Sequence, residues 1–193
     1  MRLVAGVIAG TLVATATTAV AFGVLAPADP AVPLIRLADH TIAMDRPTDP
    51  GDGSLSGPGA LTPFDVQDPA VGRLDPQLLS AIQNAATAAA GDGITMTITS
   101  GWRSPEFQQR LLDNAVRTYG SLAVARQYVE TPGGSKHVIG QAVDVGGVGA
   151  DQWLITNGAR FGLCRIYANE LWHFELATDA LGNCPPLLPN AAG

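Results

Sequence analysis

The sequence predicts a small α+β domain with a short, mainly antiparallel sheet and flanking helices. Three observations support this fold class. After residue 70, short segments with strand-like alternation are interspersed with segments of helical spacing. The 193 residues suffice for one domain of ordinary size but not for two full cores. Eight of the 14 prolines fall between Pro27 and Pro69. This proline-rich segment separates the predicted domain from the amino-terminal residues.

Composition and charge argue against two classes of partner. Charged residues make up 15% of the chain, below the roughly 25% typical of soluble domains, and the formal net charge is -6. Nucleic-acid binding requires basic surfaces, which this balance disfavours. Attraction to an anionic membrane surface would likewise need clusters of Lys and Arg.

The first 26 residues have the composition of an export signal or a membrane anchor. Residues 3–26 contain no charged residue and follow Arg2 directly. Ala19 and Ala21 fit an A-x-A cleavage site and favour a cleaved signal, although the uncut segment is long enough to span a bilayer. A buried amino-terminal helix is disfavoured because a Pro-rich tract follows. We therefore expect export, with the domain in the extracellular space, in the cell wall or on the outer face of the cytoplasmic membrane.

Residues 27–70 are predicted to be a disordered linker. This segment is rich in Pro, Asp and Gly and holds too few apolar side chains to offset the entropy of ordering the chain. The folded domain is therefore expected to occupy residues 71–193.

Four helices are predicted in this domain. Asp75 and Pro76 supply an N-cap and a first helical residue, and helical spacing of apolar residues continues to about residue 90. Ser104 and Pro105 repeat this signal and start a second helix that reaches about residue 117. Shorter helices are predicted over residues 122–128 and 151–159.

Three strands are predicted between these helices. Residues 94–99 are β-branched at most positions and alternate apolar with polar. Residues 142–145 form a second strand that carries Asp144, and residues 171–176 form the last.

The two cysteines, Cys164 and Cys184, are expected to form a disulfide. A bridge that closes about 20 residues contributes on the order of 3 kcal/mol by the chain-entropy estimate. Thiolate metal ligation is disfavoured because neither cysteine has a second Cys or His at finger spacing, and free thiols are the remaining alternative.

The predicted domain has only two histidines, and each lies near a carboxylate. His137 precedes Asp144 by seven positions, and His173 follows Glu170 by three. Two imidazoles and one carboxylate suit one Zn²⁺ ion, which takes N and O ligands in tetrahedral geometry. Three protein ligands leave one position for water, as in catalytic zinc sites. We therefore predict His137, Asp144 and His173 as zinc ligands.

Two further charged residues are predicted to take part in catalysis. Glu170 lies in the turn that enters the last strand, and a bend at residues 170–171 is required to bring its carboxylate to the metal. There it can act as a general base and pass the proton to a leaving amine. Arg103 follows the first strand and can stabilise an oxyanion or a substrate carboxylate. The alternative for Arg103 is a surface side chain that packs on Trp102.

Three ordered motifs carry a resemblance to a known family. They are Ser-Gly-Trp-Arg-Ser at 100–104, Ser-x-His-x-x-Gly-x-Ala-x-Asp at 135–144 and Glu-x-Trp-His at 170–173. The chain resembles the zinc D-alanyl-D-alanine carboxypeptidases of the VanY-like family over roughly residues 70 to 180. The resemblance implies a small α+β domain with one zinc ion in a cleft, and release of the terminal D-alanine from peptidoglycan stem peptides.

The resemblance also implies roles for individual residues. It supports the zinc ligands and the general base named above, and makes Arg103 the group that stabilises the oxyanion. Ser135 is expected beside the substrate, with capping of the turn before His137 as an equal alternative. Gln108 resembles a family glutamine near the substrate. Trp102 stands where the family often has Tyr, which keeps an aromatic wall but removes a hydroxyl.

Three functions are compatible with these residues. The first is an exported zinc carboxypeptidase that acts on peptidoglycan stem peptides, with membrane anchoring through residues 3–26 if the signal is retained. The second is an endopeptidase of the same family. The third is a zinc-containing domain that binds the cell wall without cutting, which the presence of both Glu170 and Arg103 disfavours because a binder needs neither.

Overall fold

The computed structural model describes residues 49, 51–55 and 60–193. The segment predicted as signal or anchor lies outside these residues. The helices are α1 (Pro69–Gly72), α2 (Pro76–Gly91), α3 (Pro105–Tyr119), α4 (Leu122–Ala125) and α5 (Ala150–Asn157). The strands are β1 (Thr97–Ser100), β2 (Ala142–Gly146), β3 (Leu163–Arg165) and β4 (His173–Leu176). Within the described part of the chain, no helix is both long enough and apolar enough to cross a membrane.

The four strands form one sheet in the order β1-β2-β4-β3, and each neighbouring pair is antiparallel. The predicted α+β class with an antiparallel sheet is therefore confirmed. The pairing of β2 with β4 sets Asp144 directly opposite His173. Glu175 is paired on both sides, with Ala142 in β2 and with Cys164 in β3.

The two faces of the sheet have different characters. Side chains that alternate along the strands pack with α2 and α5 into the main hydrophobic core; from the sheet these are Ile98, Val143, Val145, Leu163 and Phe174. Because successive residues of a strand point to opposite faces, Asp144 and His173 lie on the other face. The hydrophobic alternation of the strands thus places the chemically active side chains together.

The caps predicted from sequence start the two long helices. The Asp75 side chain accepts hydrogen bonds from the N–H groups of Gln77 and Leu78 at the start of α2. The Ser104 hydroxyl accepts from the N–H of Phe107 at the start of α3. Both helices match the predicted ranges within two residues. The prediction for 151–159 is met by α5 and a 3₁₀ turn that follows it, Gly158–Phe161.

Several elements differ from the prediction. β1 begins at Thr97 and β4 at His173, later than residues 94 and 171, and α4 ends at Ala125 instead of residue 128. β3 and α1 were not predicted, because segments of three and four residues are too short to show a period. β3 forms through its pairing with β4, a contact that no local pattern encodes.

The predicted boundary between linker and domain is too late. The N–H of Ile98 donates to the carbonyl of Leu61 (2.7 Å), and the N–H of Trp102 donates to that of Ala70 (2.8 Å). The carboxylate of Asp52 pairs with Arg110 of α3. Composition did not indicate these contacts, because they consist of backbone hydrogen bonds, one ion pair and the isolated apolar side chains of Leu61 and Pro63. Residues 27–48, 50 and 56–59 of the predicted linker lie outside the described residues.

Cys164 and Cys184 form the predicted disulfide, across a sequence separation of 20 residues. Cys164 lies in β3 and is buried, whereas Cys184 lies in the chain after β4. The bridge therefore ties the carboxyl-terminal segment to the edge of the sheet.

Removal of this bridge should lower the stability of the domain. Replacing both cysteines by serine, Cys164→Ser with Cys184→Ser, should decrease the free energy of unfolding by about 3 kcal/mol, because the unfolded chain regains the freedom of the closed loop. Urea titration of the two proteins measures this difference. A decrease of less than about 1 kcal/mol would show that the unfolded state is not constrained as this estimate assumes.

Candidate metal centre and active site

Three buried side chains converge on the polar face of the sheet. His137, Asp144 and His173 each offer one ligand atom, and these atoms all lie within 4.8 Å of one another. Asp144 and His173 come from the adjacent strands β2 and β4, and His137 comes from the loop before β2. The predicted ligand set is therefore brought together, in a group that could hold a metal ion.

The loop before β2 orients the imidazole of His137. Its Nδ1 lies 2.7 Å from the carbonyl oxygen of Gly101, which can only accept a hydrogen bond. Nδ1 therefore carries the hydrogen of the neutral ring, and Nε2, which lies 3.3 Å from Asp144 Oδ1, keeps a lone pair that a metal ion would bind. Gly140 ends this loop with a φ of 71°, and a Cβ there would lie 2.6 Å from the carbonyl oxygen of Arg73. Only glycine fits at this position.

His173 is held between two carboxylates. Its Nδ1 lies 3.1 Å from Asp144 Oδ1, and its Nε2 lies 3.0 Å from Glu175 Oε1. The imidazole is fully enclosed, with 4% of the residue exposed. Both nitrogens therefore have an acidic neighbour at hydrogen-bond distance.

The charges at this centre favour a bound cation. Burial raises the pKa of Asp144, but the neighbouring His137 and His173 outweigh it and hold the pKa well below its usual value. Burial, followed by the charge of Arg103, lowers the pKa of His137 and keeps that imidazole neutral. Burial also acts to lower the pKa of His173, but hydrogen bonds to Asp144 and Glu175 raise it to about 9. A metal ion can take the place of that proton and satisfy both imidazoles and the carboxylate.

Glu170 lies beside this group, in the bend that precedes β4. Its Oε2 is 3.8 Å from His173 Nδ1, and its Oε1 is buried with no hydrogen-bond partner among the described residues. Burial raises the pKa of this carboxyl to about 7. The strand begins only at His173, so the backbone at residues 170–172 is free to bend as predicted. The unpartnered oxygen can accept a hydrogen bond from water or substrate.

Arg103 contacts the metal group directly. Its guanidinium donates to Asp144 Oδ2 at 3.1 Å, to Gln108 Oε1 at 3.0 Å and to the hydroxyl of Ser100 at 2.7 Å. The side chain is 13% exposed. The alternative of a surface arginine that packs on Trp102 is wrong, because the guanidinium above that ring belongs to Arg73, at 4.4 Å from the ring centroid.

Gln108 and Ser135, the two predicted substrate-binding residues, are both buried. Gln108 is 1% exposed, and its amide accepts from Arg103 and donates to the carbonyl of Glu130 at 2.8 Å. It therefore holds Arg103 in place, and contact with substrate stays a prediction. Ser135 is buried, and its carbonyl accepts from the N–H of Val138 at 3.2 Å, which closes the turn that carries His137.

Sequence reasoning assigned no role to two neighbours of His173. Glu175 contacts Nε2, and the ring of Tyr167 lies 5.0 Å from the imidazole between centroids. Burial, with the charge of Glu175 next, raises the pKa of Tyr167 to about 12. The spacing of residues 173 and 175 on one strand face was the available signal for Glu175. Tyr167 lies outside any strand or helix, so no period could place it.

Comparison with known proteins identifies similar sequences and structures. Residues 72–177 match the family model described as VanY, D-alanyl-D-alanine carboxypeptidase. A D-alanyl-D-alanine carboxypeptidase of Enterococcus faecalis is 32% identical over 128 residues, covering 53% of this chain and 48% of that protein. The chain thus spans about half the length of this curated relative.

Two solved structures share the fold at 31% sequence identity and a TM-score of 0.50. One is a variant of the vancomycin-resistance D,D-pentapeptidase VanY from a VanB-type resistance cassette, in complex with Zn(II); the similarity covers 53% of this chain and 71% of that chain. The other is VanYB in complex with D-alanine-D-alanine, with 53% of this chain and 70% of that chain covered.

Proposed function

Because the chain belongs to the VanY family of D-alanyl-D-alanine carboxypeptidases, we propose that it is a zinc metallopeptidase that removes the terminal D-alanine from peptidoglycan stem peptides. The observation that carries this proposal is the buried group of His137, Asp144 and His173 with the carboxylate of Glu170 beside it. The Zn(II) complex of one relative and the D-alanine-D-alanine complex of another support the choice of metal and of substrate.

The donor set fits zinc. Zn²⁺ favours imidazole nitrogen and carboxylate oxygen, and with three protein ligands it keeps one coordination position open. The free Nε2 of His137, Nδ1 of His173 and Oδ1 of Asp144 would be the ligands. A zinc ion held there supplies a Lewis acid and lowers the pKa of water to about 7.

Glu170 and Arg103 supply the remaining chemistry. The buried carboxylate of Glu170 takes a proton from the attacking water and delivers it to the amine of the departing D-alanine. Arg103 has five N–H donors, and the protein contacts described above use three of them, which leaves two for the oxyanion. Its bond to Asp144 also keeps this guanidinium beside the metal group.

Product analysis tests the proposed reaction. The zinc-loaded protein, incubated with a stem pentapeptide that ends in D-alanyl-D-alanine, should release free D-alanine and leave a tetrapeptide, both visible by mass spectrometry. Cleavage at an internal bond of the pentapeptide without free D-alanine would instead identify an endopeptidase. Binding without any cleavage would identify a non-catalytic cell-wall domain. Either result would overturn the carboxypeptidase assignment.

Loss of the Arg103 guanidinium should slow the reaction strongly. Arg103→Lys should lower kcat by about 10²-fold to 10³-fold, because a lysine cannot keep the contacts to Ser100, Gln108 and Asp144 and also bind the oxyanion. Steady-state kinetics on the pentapeptide measures this loss. Arg73→Lys is the matched control, since that guanidinium packs on Trp102 instead of Asp144. Equal activity of Arg103→Lys and the wild type would remove Arg103 from the mechanism.

We also propose that the protein is exported. The uncharged segment 3–26 supports this, and so does the disulfide, which persists in oxidising compartments outside the cytoplasm. Mass spectrometry of the protein from cell fractions gives its location and its amino terminus. Recovery of the full chain from the cytoplasm with both cysteines reduced would contradict export, whereas recovery of the uncut chain in membranes would show that the segment is an anchor.

A further inference from the structure

Glu175 has no role in the reaction proposed above, yet it contacts a predicted zinc ligand. Its Oε1 lies 3.0 Å from Nε2 of His173, and its side chain is 13% exposed. Among the described residues, this imidazole is the only hydrogen-bond partner of the Glu175 carboxylate. Burial of a carboxylate with a single partner costs free energy of desolvation, which suggests that the position of Glu175 serves a function.

The backbone fixes the position of this carboxylate. Glu175 follows His173 by two residues in β4, so the two side chains share one face of the sheet. β4 is an inner strand, and residue 175 is paired with Ala142 on one side and with Cys164 on the other. Cys164 is also held by the disulfide to Cys184. Backbone pairing on both sides therefore holds Glu175 in place.

The contact decides which nitrogen of His173 faces the metal group. A carboxylate can only accept a hydrogen bond, so in the metal-free protein Nδ1, which faces Asp144, and Nε2, which faces Glu175, both carry a hydrogen. A metal ion would take the place of the hydrogen on Nδ1, and Glu175 keeps the other hydrogen on Nε2. Nδ1 is the nitrogen that faces Asp144 Oδ1, at 3.1 Å. The carbonyl of Gly101 acts in the same way on His137, from the opposite nitrogen. Both imidazoles are thus oriented by an acceptor on the side away from the metal group.

We propose that Glu175 is a positioning residue for the metal centre: its carboxylate fixes the orientation and tautomer of His173, so that Nδ1 binds the metal. This inference rests on the proposed function, since it assumes that the centre binds zinc. Carboxylates that hold the far nitrogen of a ligating histidine commonly raise metal affinity by 10-fold to 100-fold. Glu175 therefore contributes to zinc retention without touching the substrate.

Zinc affinity of the purified full chain tests this role without reference to activity. Competition with a chromophoric chelator should give a Kd for Glu175→Ala that is about 10-fold to 100-fold weaker than that of the wild type. Glu175→Gln keeps the shape and one acceptor oxygen but loses the charge, so its Kd should lie between the two. Glu106→Gln removes the same charge from an exposed position in the first turn of α3 and should leave the Kd unchanged.

Thermal unfolding of the metal-free proteins separates positioning from folding. The metal-free Glu175→Gln protein should melt within a few degrees of the metal-free wild type, and its Co²⁺ complex should show an altered visible absorption spectrum. A Glu175→Gln protein with the wild-type Kd and Co²⁺ spectrum would overturn the proposal, as would a weakened Kd that thermal unfolding traces entirely to loss of fold. Failure of the wild type to release D-alanine while it binds zinc would refute the proposed function alone.

Discussion

Glu170→Gln is expected to abolish D-alanine release while the protein still binds one equivalent of zinc. The substitution keeps the shape of the side chain but removes its capacity to accept a proton. Because positioned general bases contribute about 10²-fold to 10⁴-fold, kcat on the pentapeptide should fall by a factor in this range. The buried Oε1 of Glu170, which has no partner in the described part of the chain, is the atom assigned to this proton transfer.

Zinc content and kinetics must be measured on the same preparation. Retained zinc with lost turnover places Glu170 in the chemistry and not in metal binding. The Glu106→Gln variant serves as control, because its carboxylate is exposed and lies in α3. A Glu170→Gln enzyme that keeps wild-type kcat with stoichiometric metal would refute the assignment of the base.

Removal of a metal ligand should have an effect of similar size by a different route. His137→Ala leaves only Asp144 and His173 in the group, and two ligands hold zinc far less tightly than three. We expect less than about a tenth of an equivalent of zinc after dialysis, and D-alanine release at background. Loss of the imidazole also leaves the carbonyl of Gly101 without its hydrogen-bond donor. The metal-free variant should therefore be somewhat less stable than the metal-free wild type.

The neighbouring Lys136 provides a matched control for this variant. Lys136 lies in the same turn and is exposed, so Lys136→Ala tests whether disturbance of the loop alone affects the centre. It should keep full zinc occupancy and full activity. A His137→Ala protein that holds zinc and turns over at the wild-type rate would exclude His137 as a ligand.

The candidate centre was predictable from sequence because its side chains occur in short motifs. His137 and Asp144 are separated by one turn, and the polar position within the apolar strand around Asp144 indicates which face it occupies. The antiparallel pairing of β2 with β4 then brings His173 opposite Asp144. Because the sheet is small and its connections are short, few other strand arrangements are compatible with the local sequence pattern.

The contacts that tune the centre were not predictable in this way. Arg103 bonds to Asp144 across 41 positions, and nothing near Arg103 in the sequence marks Asp144 as its partner. The guanidinium above the Trp102 ring is that of Arg73, and no sequence motif indicated this contact. Such pairs depend on how the loops pack around the sheet, which hydrophobic periodicity does not describe.

The edges of the domain were also set by tertiary contacts. The segment around Leu61 reads as a linker by composition, yet its carbonyl accepts a hydrogen bond from β1. β3 is only three residues long and pairs with β4, where it covers the backbone beside Glu175. Every residue except proline offers the same backbone donor and acceptor, so the pattern of side chains in the sequence does not indicate such hydrogen bonds.

The central claim is that His137, Asp144 and His173 hold a catalytic zinc ion. Anomalous diffraction at the zinc edge from crystals of the zinc-loaded protein tests it most directly. The account predicts one strong peak about 2 Å from Nε2 of His137, Nδ1 of His173 and an oxygen of Asp144. A fully occupied zinc ion bound elsewhere, or an active protein that shows no peak at these three residues, would contradict it.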